Sequence, residues 1–317
     1  MSSNFSGAGA EHWQAYWQTA GAGSAAVSGD APGDLFDWQW RDFFSRSFTS
    51  RQHPTLLDLA CGAGVVTGRA IEAGAHTGSL LCGVDYASAA AAALNQKPAP
   101  SGYVVSGVAA SVNQLPFLSG SFDIVVSQFG LEYAGLDAFR EAARILAAGG
   151  SAQFITHYKD GGIDRECSAN AHTLTAIIES DLFELAIAVI RGFAPEATDR
   201  QLHTVLVGLK SHLDGEPLAA KQMLSRLLPD VATLLSRRQA YGEVEALGWL
   251  AAMRNEVMLY ADRMNAMTAS AIGADGVKIA AELLASHGAV VESPAPLMPQ
   301  GRSVPAAWLL RAHQPSS

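Results

Sequence analysis

From Pro54 onward, short apolar runs alternate with stretches whose apolar residues recur at three- and four-residue spacing. The run TLLDLA (55–60) predicts a strand that breaks into the glycine-bearing CGAG, and a helix follows over 65–73. SLLCGVDYA (79–87) reads as a second strand. The alanine-rich ASAAAAALN after it needs little tertiary help to be helical, because alanine is the strongest helix former. YVVSGVAA is a third strand, SFDIVVSQF a fourth and SAQFITHY a fifth. Between the last two lies the helix DAFREAARILAAGG, with Gly149 as its expected C-cap. Strands alternating with helices predict an α/β fold, in which a parallel sheet carries helices on both faces through right-handed crossovers.

At Gly161 the pattern changes, and residues 163–270 predict helices only. Runs such as AHTLTAIIESDLFELAIAVIRGF and GEVEALGWLAAMRNEVMLYADRMNAM carry the helical period, as do Leu202, Val205, Leu206, Leu209 and Leu213. The α/β pattern then returns with the helix DGVKIAAELLASHG, which Asp275 is placed to cap, and the strands AVVESPAPL and AAWLLRAHQ. The expected division is an aromatic-rich N-terminal arm (1–53), a core made of 54–162 and 271–317, and an all-helical insertion (163–270) after the fifth strand. The arm sets two aromatic runs, HWQAYWQ (12–18) and LFDWQWRDFF (35–44), around a Gly/Ala/Ser/Pro stretch (21–33) with linker chemistry. Its aromatics either pack onto the domain or close over a ligand site.

Composition narrows the function classes. With 49% hydrophobic and 16% charged residues among 317, the chain has material for a sizeable core and is not generally disordered. A net charge of −9 gives no basic field to hold nucleic acid or an anionic membrane. The longest apolar stretch, LFELAIAVI (182–190), is interrupted by Glu184 and falls short of the roughly 20 residues a membrane span needs. The N-terminus lacks the basic and apolar segments of a signal peptide. Cys61, Cys82 and Cys167 are widely spaced, which disfavours a disulfide framework or zinc knuckle. The expectation is a reduced, cytoplasmic setting.

The chemistry concentrates in LLDLACGAG (56–64). A strand ends, the chain turns through Gly62 and Gly64, and a helix begins with free N–H groups. In an open α/β sheet this edge is where ligands bind. A glycine-rich turn also serves dinucleotide folds, but Asp58 stands where their fingerprint is apolar, and Thr67 replaces the third glycine. Asp85 closes the second strand, where a carboxylate can grip a ribose diol.

In LLDLACGAG, GVDYA, LPFLSGSFDIVVSQF and ILAAGGSAQFITH the chain resembles class I S-adenosylmethionine-dependent methyltransferases, especially small-molecule enzymes related to ubiquinone and menaquinone biosynthesis. The likeness runs over 55–160 and, more weakly, 275–313. It implies a Rossmann-like, seven-stranded, mostly parallel sheet and S-adenosyl-L-methionine as cofactor. Carried across by motif, Asp58, Ala60, Gly62 and Gly64 line the methionine end, Asp85 accepts the ribose hydroxyls, and Tyr86 packs on the adenine. Ser111 and Val112 read the adenine edge, while Gln128 and Phe129 end the fourth strand near the methyl group. Two positions depart from the family: Ala60 stands at a common glycine, and Ser111 at a frequent aspartate, whose hydrogen bond Asn113 can replace.

Methyl transfer from a sulfonium depends mainly on positioning, and needs a base only when the acceptor must lose a proton. His157, ending the fifth strand, is the candidate base, with Glu132 and Tyr133 facing the same region. The competing readings are a hydrogen-bonded loop histidine and, for Glu132, a solvated loop carboxylate. No metal is expected, since Asp160, Asp164, Glu166 and His172 are only loosely grouped. Following the fifth strand directly, the insertion should cover the acceptor side. Its Phe183, Leu185, Met223, Trp249, Met253, Met258 and Met264 suit either ordinary core or an apolar acceptor. The run 242–267 is equally suited to pairing with a second copy of the chain as a homodimer. The leading expectation is methylation of a small, apolar or aromatic acceptor at oxygen or carbon. An NAD(P)-dependent oxidoreductase and a non-catalytic cofactor-binding protein are the alternatives.

Overall fold

In the computed structural model, residues 8–19, 33–48, 53–74, 78–97, 102–193, 195–211 and 218–316 are described. The expected linker, apart from Gly33, and Leu213 lie outside them. Two helices, α1 (Ala8–Thr19) and α2 (Gly33–Ser47), precede the alternating region. There follow β1 (Thr55–Leu59), α3 (Val65–Glu72), β2 (Leu80–Asp85), α4 (Ser88–Gln96), β3 (Val104–Ala109) and β4 (Phe122–Gln128). A single 3-10 turn at Leu131–Ala134 leads into α5 (Asp137–Ile145) and β5 (Leu146–His157). Five helices come next: α6 (Gly162–Glu179), α7 (Leu182–Ile190), α8 (Pro195–Ser211), α9 (Leu218–Ser236) and α10 (Glu243–Ser270). The chain closes with α11 (Ala274–Ala285), β6 (Val290–Val291), β7 (Ala295–Leu297) and β8 (Ala307–His313).

The fold is the expected α/β, Rossmann-like one, with a sheet order of β3-β2-β1-β4-β5-β8-β6 and β7 paired to β8. Its first five strands pair in parallel, whereas β8 runs antiparallel to β5, β6 and β7. The sheet has eight strands rather than seven, because AVVESPAPL breaks at its Glu-Ser-Pro segment into two short strands. Proline supplies no N–H to continue a ladder.

Alternating side chains of β1 feed two cores. Leu57 and Leu59 join Val125, Phe154 and Leu310 beneath Phe139 of α5 and Leu284 of α11. Leu56 instead joins Ile124, Val126 and Ile155 beneath Trp40 and Phe44 of α2 and Val66 of α3. Both faces of the sheet are therefore covered, which accounts for the nearly unbroken apolar runs of its central strands. Helix α2 is part of this core, since Trp40 and Phe44 are both fully buried.

Two local capping rules were overridden. Gly149 lies inside β5, where its N–H donates to the Gln314 carbonyl at 2.9 Å, and the helix before it ends at Ile145. Strand pairing there wins over the glycine C-cap. Asp275 is in the first turn of α11 rather than at the N-cap, which is Gly273, and it pairs with Lys278 at 3.2 Å. An acidic residue is favourable in that turn as well.

The chain divides into two compact units, of which one is Arg165–Thr268 and the other holds the sheet. The sheet unit lets the chain leave and return at one place, because Tyr158 bridges Ile272 in parallel and the Ile272 N–H donates to the His157 carbonyl. In the helical unit the long run 171–193 breaks at Asp181, which adopts a left-handed conformation (φ 59°) between α6 and α7. Phe183 and Met264 are buried there, whereas Trp249 and Met258 are exposed. Arg254 pairs with Glu184 at 2.8 Å. Among the described residues no helix is long and apolar enough to cross a membrane.

Candidate active site

The sheet order reverses at β1, whose neighbours are β2 and β4, so the carboxyl edges of these strands open the crevice where α/β sheets take ligands. Directly after β1 the backbone enters the left-handed region at Ala60 (φ 53°), Gly62 (φ 50°) and Gly64 (φ 73°). Glycine adopts that region without steric penalty, but an alanine is strained there by about 1–3 kcal/mol. Ala60 thus holds the conformation a glycine would take freely. The loop after β4 closes on it: a Cβ at Gly130 would collide with the Ala60 methyl. Ser127 fastens the same two loops, donating to the Leu59 carbonyl at 2.7 Å and accepting from the Leu131 N–H at 3.2 Å.

Two carboxylates organise this edge from below. Asp58 accepts the Thr67 N–H at 3.1 Å and the Thr67 hydroxyl at 2.8 Å. Burial pushes its pKa up to about 7; the Thr67 hydrogen bonds oppose the rise and the nearby Asp85 charge adds to it. Asp85 accepts the Gly62 N–H at 2.9 Å and the Ala87 N–H at 2.8 Å. Burial raises its pKa too, against the pull of those two N–H groups. Burial, followed by the Asp58 and Asp85 charges, lifts the Cys61 thiol well above its ordinary value. Cys61 is accordingly a packed, protonated thiol and not a nucleophile.

The remaining candidates sit around these two carboxylates. Tyr86 is 63% exposed just beyond Asp85, with its ring free to meet a flat ligand. The Ser111 hydroxyl accepts the Asn113 N–H at 3.3 Å, Val112 is buried, and the Asn113 amide donates to the Ala134 carbonyl at 2.9 Å. The Gln128 side-chain oxygen is committed to Trp40 Nε1 (2.5 Å) and Arg69 (2.9 Å), and Arg69 pairs with Asp37. Phe129 takes a left-handed turn (φ 52°) and meets Phe36 edge-on at 5.2 Å. Glu132 is buried and bonded to His157, which overturns its reading as a solvated loop carboxylate.

Sequence reasoning missed three contributors. Gly130 and Ser127 act on partners distant in sequence and left no local signature. Trp17 of α1 was noted only as part of the arm, yet its ring lies where a Cβ on Gly62 would project. The Gln14 side-chain oxygen on the same helix accepts the Ala89 N–H at 3.3 Å, at the start of α4. The arm therefore packs onto the domain, as one of its two expected roles requires: α2 joins the core, and Trp17 of α1 lies against the glycine loop.

Together the fold and this edge define an α/β domain with a carboxylate-bearing glycine loop at its switch point. Residues 57–154 match a family model described as a methyltransferase domain. The cofactor that this similarity implies is S-adenosylmethionine. Among solved structures, the chain is similar to an S-adenosylmethionine-dependent methyltransferase from Mesorhizobium loti, at 14% identity, 86% coverage of this chain, 96% of that one and a TM-score of 0.43. A sugar N-methyltransferase from a Streptoalloteichus species is 26% identical over 43% of this chain and 59% of its own, with a TM-score of 0.31. A methyltransferase from Aquifex aeolicus is 15% identical over 37% and 64%, with a TM-score of 0.31. The chain spans 62%, 58% and 60% of the length of the first three solved chains it matches. Comparison with curated proteins gives no match.

The residues present fit that cofactor. An ionised carboxylate has about four acceptor positions, so Asp85 retains capacity for a diol after accepting two N–H groups. Asp85, whose charged form the Gly62 and Ala87 N–H groups favour, also sets a carboxylate beside the glycine loop, which suits a cationic sulfonium.

Proposed function

We propose that this protein transfers a methyl group from S-adenosylmethionine to a small, apolar or aromatic organic acceptor, at oxygen or carbon. The observation that carries the reading is the Asp85 carboxylate, held by the Gly62 and Ala87 N–H groups at the carboxyl end of β2. This joins a diol-binding group to the loop along which a cofactor chain can lie.

In this reading Asp85 receives the ribose hydroxyls and Tyr86 covers the adenine, whose edge Ser111, Val112 and Asn113 meet. Asp58, Ala60, Gly62 and Gly64 hold the methionine end. Gln128, whose side-chain oxygen is occupied, contributes its backbone and sets the turn that places Phe129 near the reacting methyl. When bound, the cofactor supplies an activated methyl on a positively charged sulfur. The protein supplies alignment, since effective concentration in a bound complex can account for much of the barrier. Residues 54–162 and 271–317 form the cofactor core, 163–270 the insertion, and 1–53 the arm.

The test is incubation of the full chain with methyl-labelled S-adenosylmethionine and a panel of small phenols, enols, alcohols and amines. Label passing into an organic product supports the reading, and binding without transfer to any acceptor favours a non-catalytic role.

A further inference from the structure

One buried pair at the carboxyl ends of β4 and β5 takes no part in holding the cofactor. His157 is 1% exposed and Glu132 4%. Glu132 Oε1 accepts the His157 backbone N–H at 2.9 Å and lies 2.7 Å from Nδ1 of the same ring. The other two polar atoms of the pair, Glu132 Oε2 and His157 Nε2, are buried with no hydrogen-bond partner among the described residues. Buried polar atoms are nearly always paired, and leaving one unpaired costs about 1–3 kcal/mol. Two of them in one pair mark a place built to receive a polar atom.

The tautomer follows from the bonding. Oε1 already accepts from the backbone, so it acts as an acceptor toward the ring, and Nδ1 carries the proton. Nε2 of the neutral ring is then a bare lone pair, free to take a proton. The surroundings are aromatic. Phe129 lies 4.6 Å from the imidazole, Tyr133 stands edge-on at 5.7 Å, and Trp13 of α1 stands edge-on to Tyr133 at 5.4 Å.

We propose that the acceptor is a phenol- or enol-type hydroxyl, that His157 is the catalytic residue taking its proton on Nε2, and that Glu132 is a positioning residue. The inference rests on the methyltransferase reading and names its substrate class. A flat ring suits the Phe129, Tyr133 and Trp13 enclosure. A carboxylate acceptor is already ionised and needs no base. An alkyl alcohol is about as weak an acid as water and is out of reach of an imidazole base, whereas a phenol, near 10, is within reach. In the balanced step the acceptor oxygen forms a bond to the methyl carbon as the S–C bond breaks. The S–C electron pair stays on sulfur, giving the neutral thioether. The hydroxyl proton passes to Nε2 and later to water. Glu132 keeps the ring oriented and stabilises the imidazolium that forms.

The test uses the full chain with S-adenosylhomocysteine and isotope-labelled histidine nitrogens, with H157Q to assign the His157 signals. The expected spectrum is a neutral ring protonated at Nδ1, whose Nε2 signal shifts when para-cresol is added. Methyl transfer is then compared between para-cresol, un-ionised near pH 8, and para-nitrophenol, already ionised there. H157Q removes the imidazole base and should lose about 100-fold or more in kcat on para-cresol, but less than about fivefold on para-nitrophenol. E132Q keeps the Oε1 acceptor and should lose about tenfold on para-cresol at unchanged KM, with S-adenosylhomocysteine affinity within about twofold of wild type in both variants. Equal losses on the two phenols, or a proton resident on Nε2, would overturn the proposal. So would a protein that binds S-adenosylhomocysteine yet methylates neither phenol, and that outcome leaves the cofactor reading standing. Failure to bind S-adenosylhomocysteine would instead remove both.

Discussion

Asp58 and Thr67 form a closed pair, in which a single carboxylate oxygen accepts both the backbone N–H and the hydroxyl of the threonine. The carboxyl group is 1% exposed, and its pKa of about 7 lies above the ordinary 3.8. Between those values the folded chain holds more proton than the unfolded one. The stability contributed by this group is therefore complete below about pH 4 and is lost as pH rises through about 7. Asp58→Asn removes the titration while its amide oxygen still accepts from Thr67. From pH 4 to 8 the stability difference should move toward the variant by about 2–4 kcal/mol. Urea unfolding at the two pH values measures it, and a pH-independent difference would show that the carboxyl ionises normally in the fold.

Asp85→Ala removes the acceptor for the Gly62 and Ala87 N–H groups together with the carboxylate proposed to hold the ribose. Hydrogen bonds to a charged group contribute about 1.5–3 kcal/mol each, so affinity for S-adenosylhomocysteine should fall at least about tenfold to a hundredfold. Calorimetry gives the number, with circular dichroism to show that the sheet persists. Unchanged affinity would refute the ribose assignment.

Gly62→Ala sets a methyl into the Trp17 ring at a backbone conformation (φ 50°) that alanine resists. The expected result is a loss of about 1–3 kcal/mol and a change in tryptophan emission as α1 lifts from the loop. Emission identical to wild type would mean that α1 does not rest there in solution.

Trp40 is fully buried, stacks on Phe44 at 5.6 Å and donates to Gln128. Trp40→Ala should cost about 3–5 kcal/mol, as expected for a truncated core aromatic. Trp40→Phe should cost about 1 kcal/mol, because Gln128 keeps its bond from Arg69. A small loss in the alanine variant, read by denaturant unfolding, would show that α2 is peripheral.

What could be read from the sequence was what local spacing encodes. The strand–turn–helix of LLDLACGAG, the acidic end of β2 and the alternation of strands and helices each depend on residues a few positions apart. What escaped depends on the folded chain. Gly130 is required by Ala60, far away in sequence, and Ser127 by the Leu59 carbonyl. Thr67 stood out only as a departure from a dinucleotide fingerprint, although its hydroxyl seats Asp58. Glu132 and His157 were each singled out, but no local pattern shows that two residues 25 apart share a buried hydrogen bond. Gly149 and Asp275 carry sound local signals that tertiary pairing and a neighbouring glycine displaced.

In the proposed function, the edge built by Asp58, Gly62 and Asp85 takes S-adenosylmethionine. Calorimetric titration of the full chain with S-adenosylmethionine and, separately, with NADPH tests it most directly. The expected result is saturable binding of S-adenosylmethionine and none of NADPH; binding of NADPH alone would overturn the methyltransferase reading.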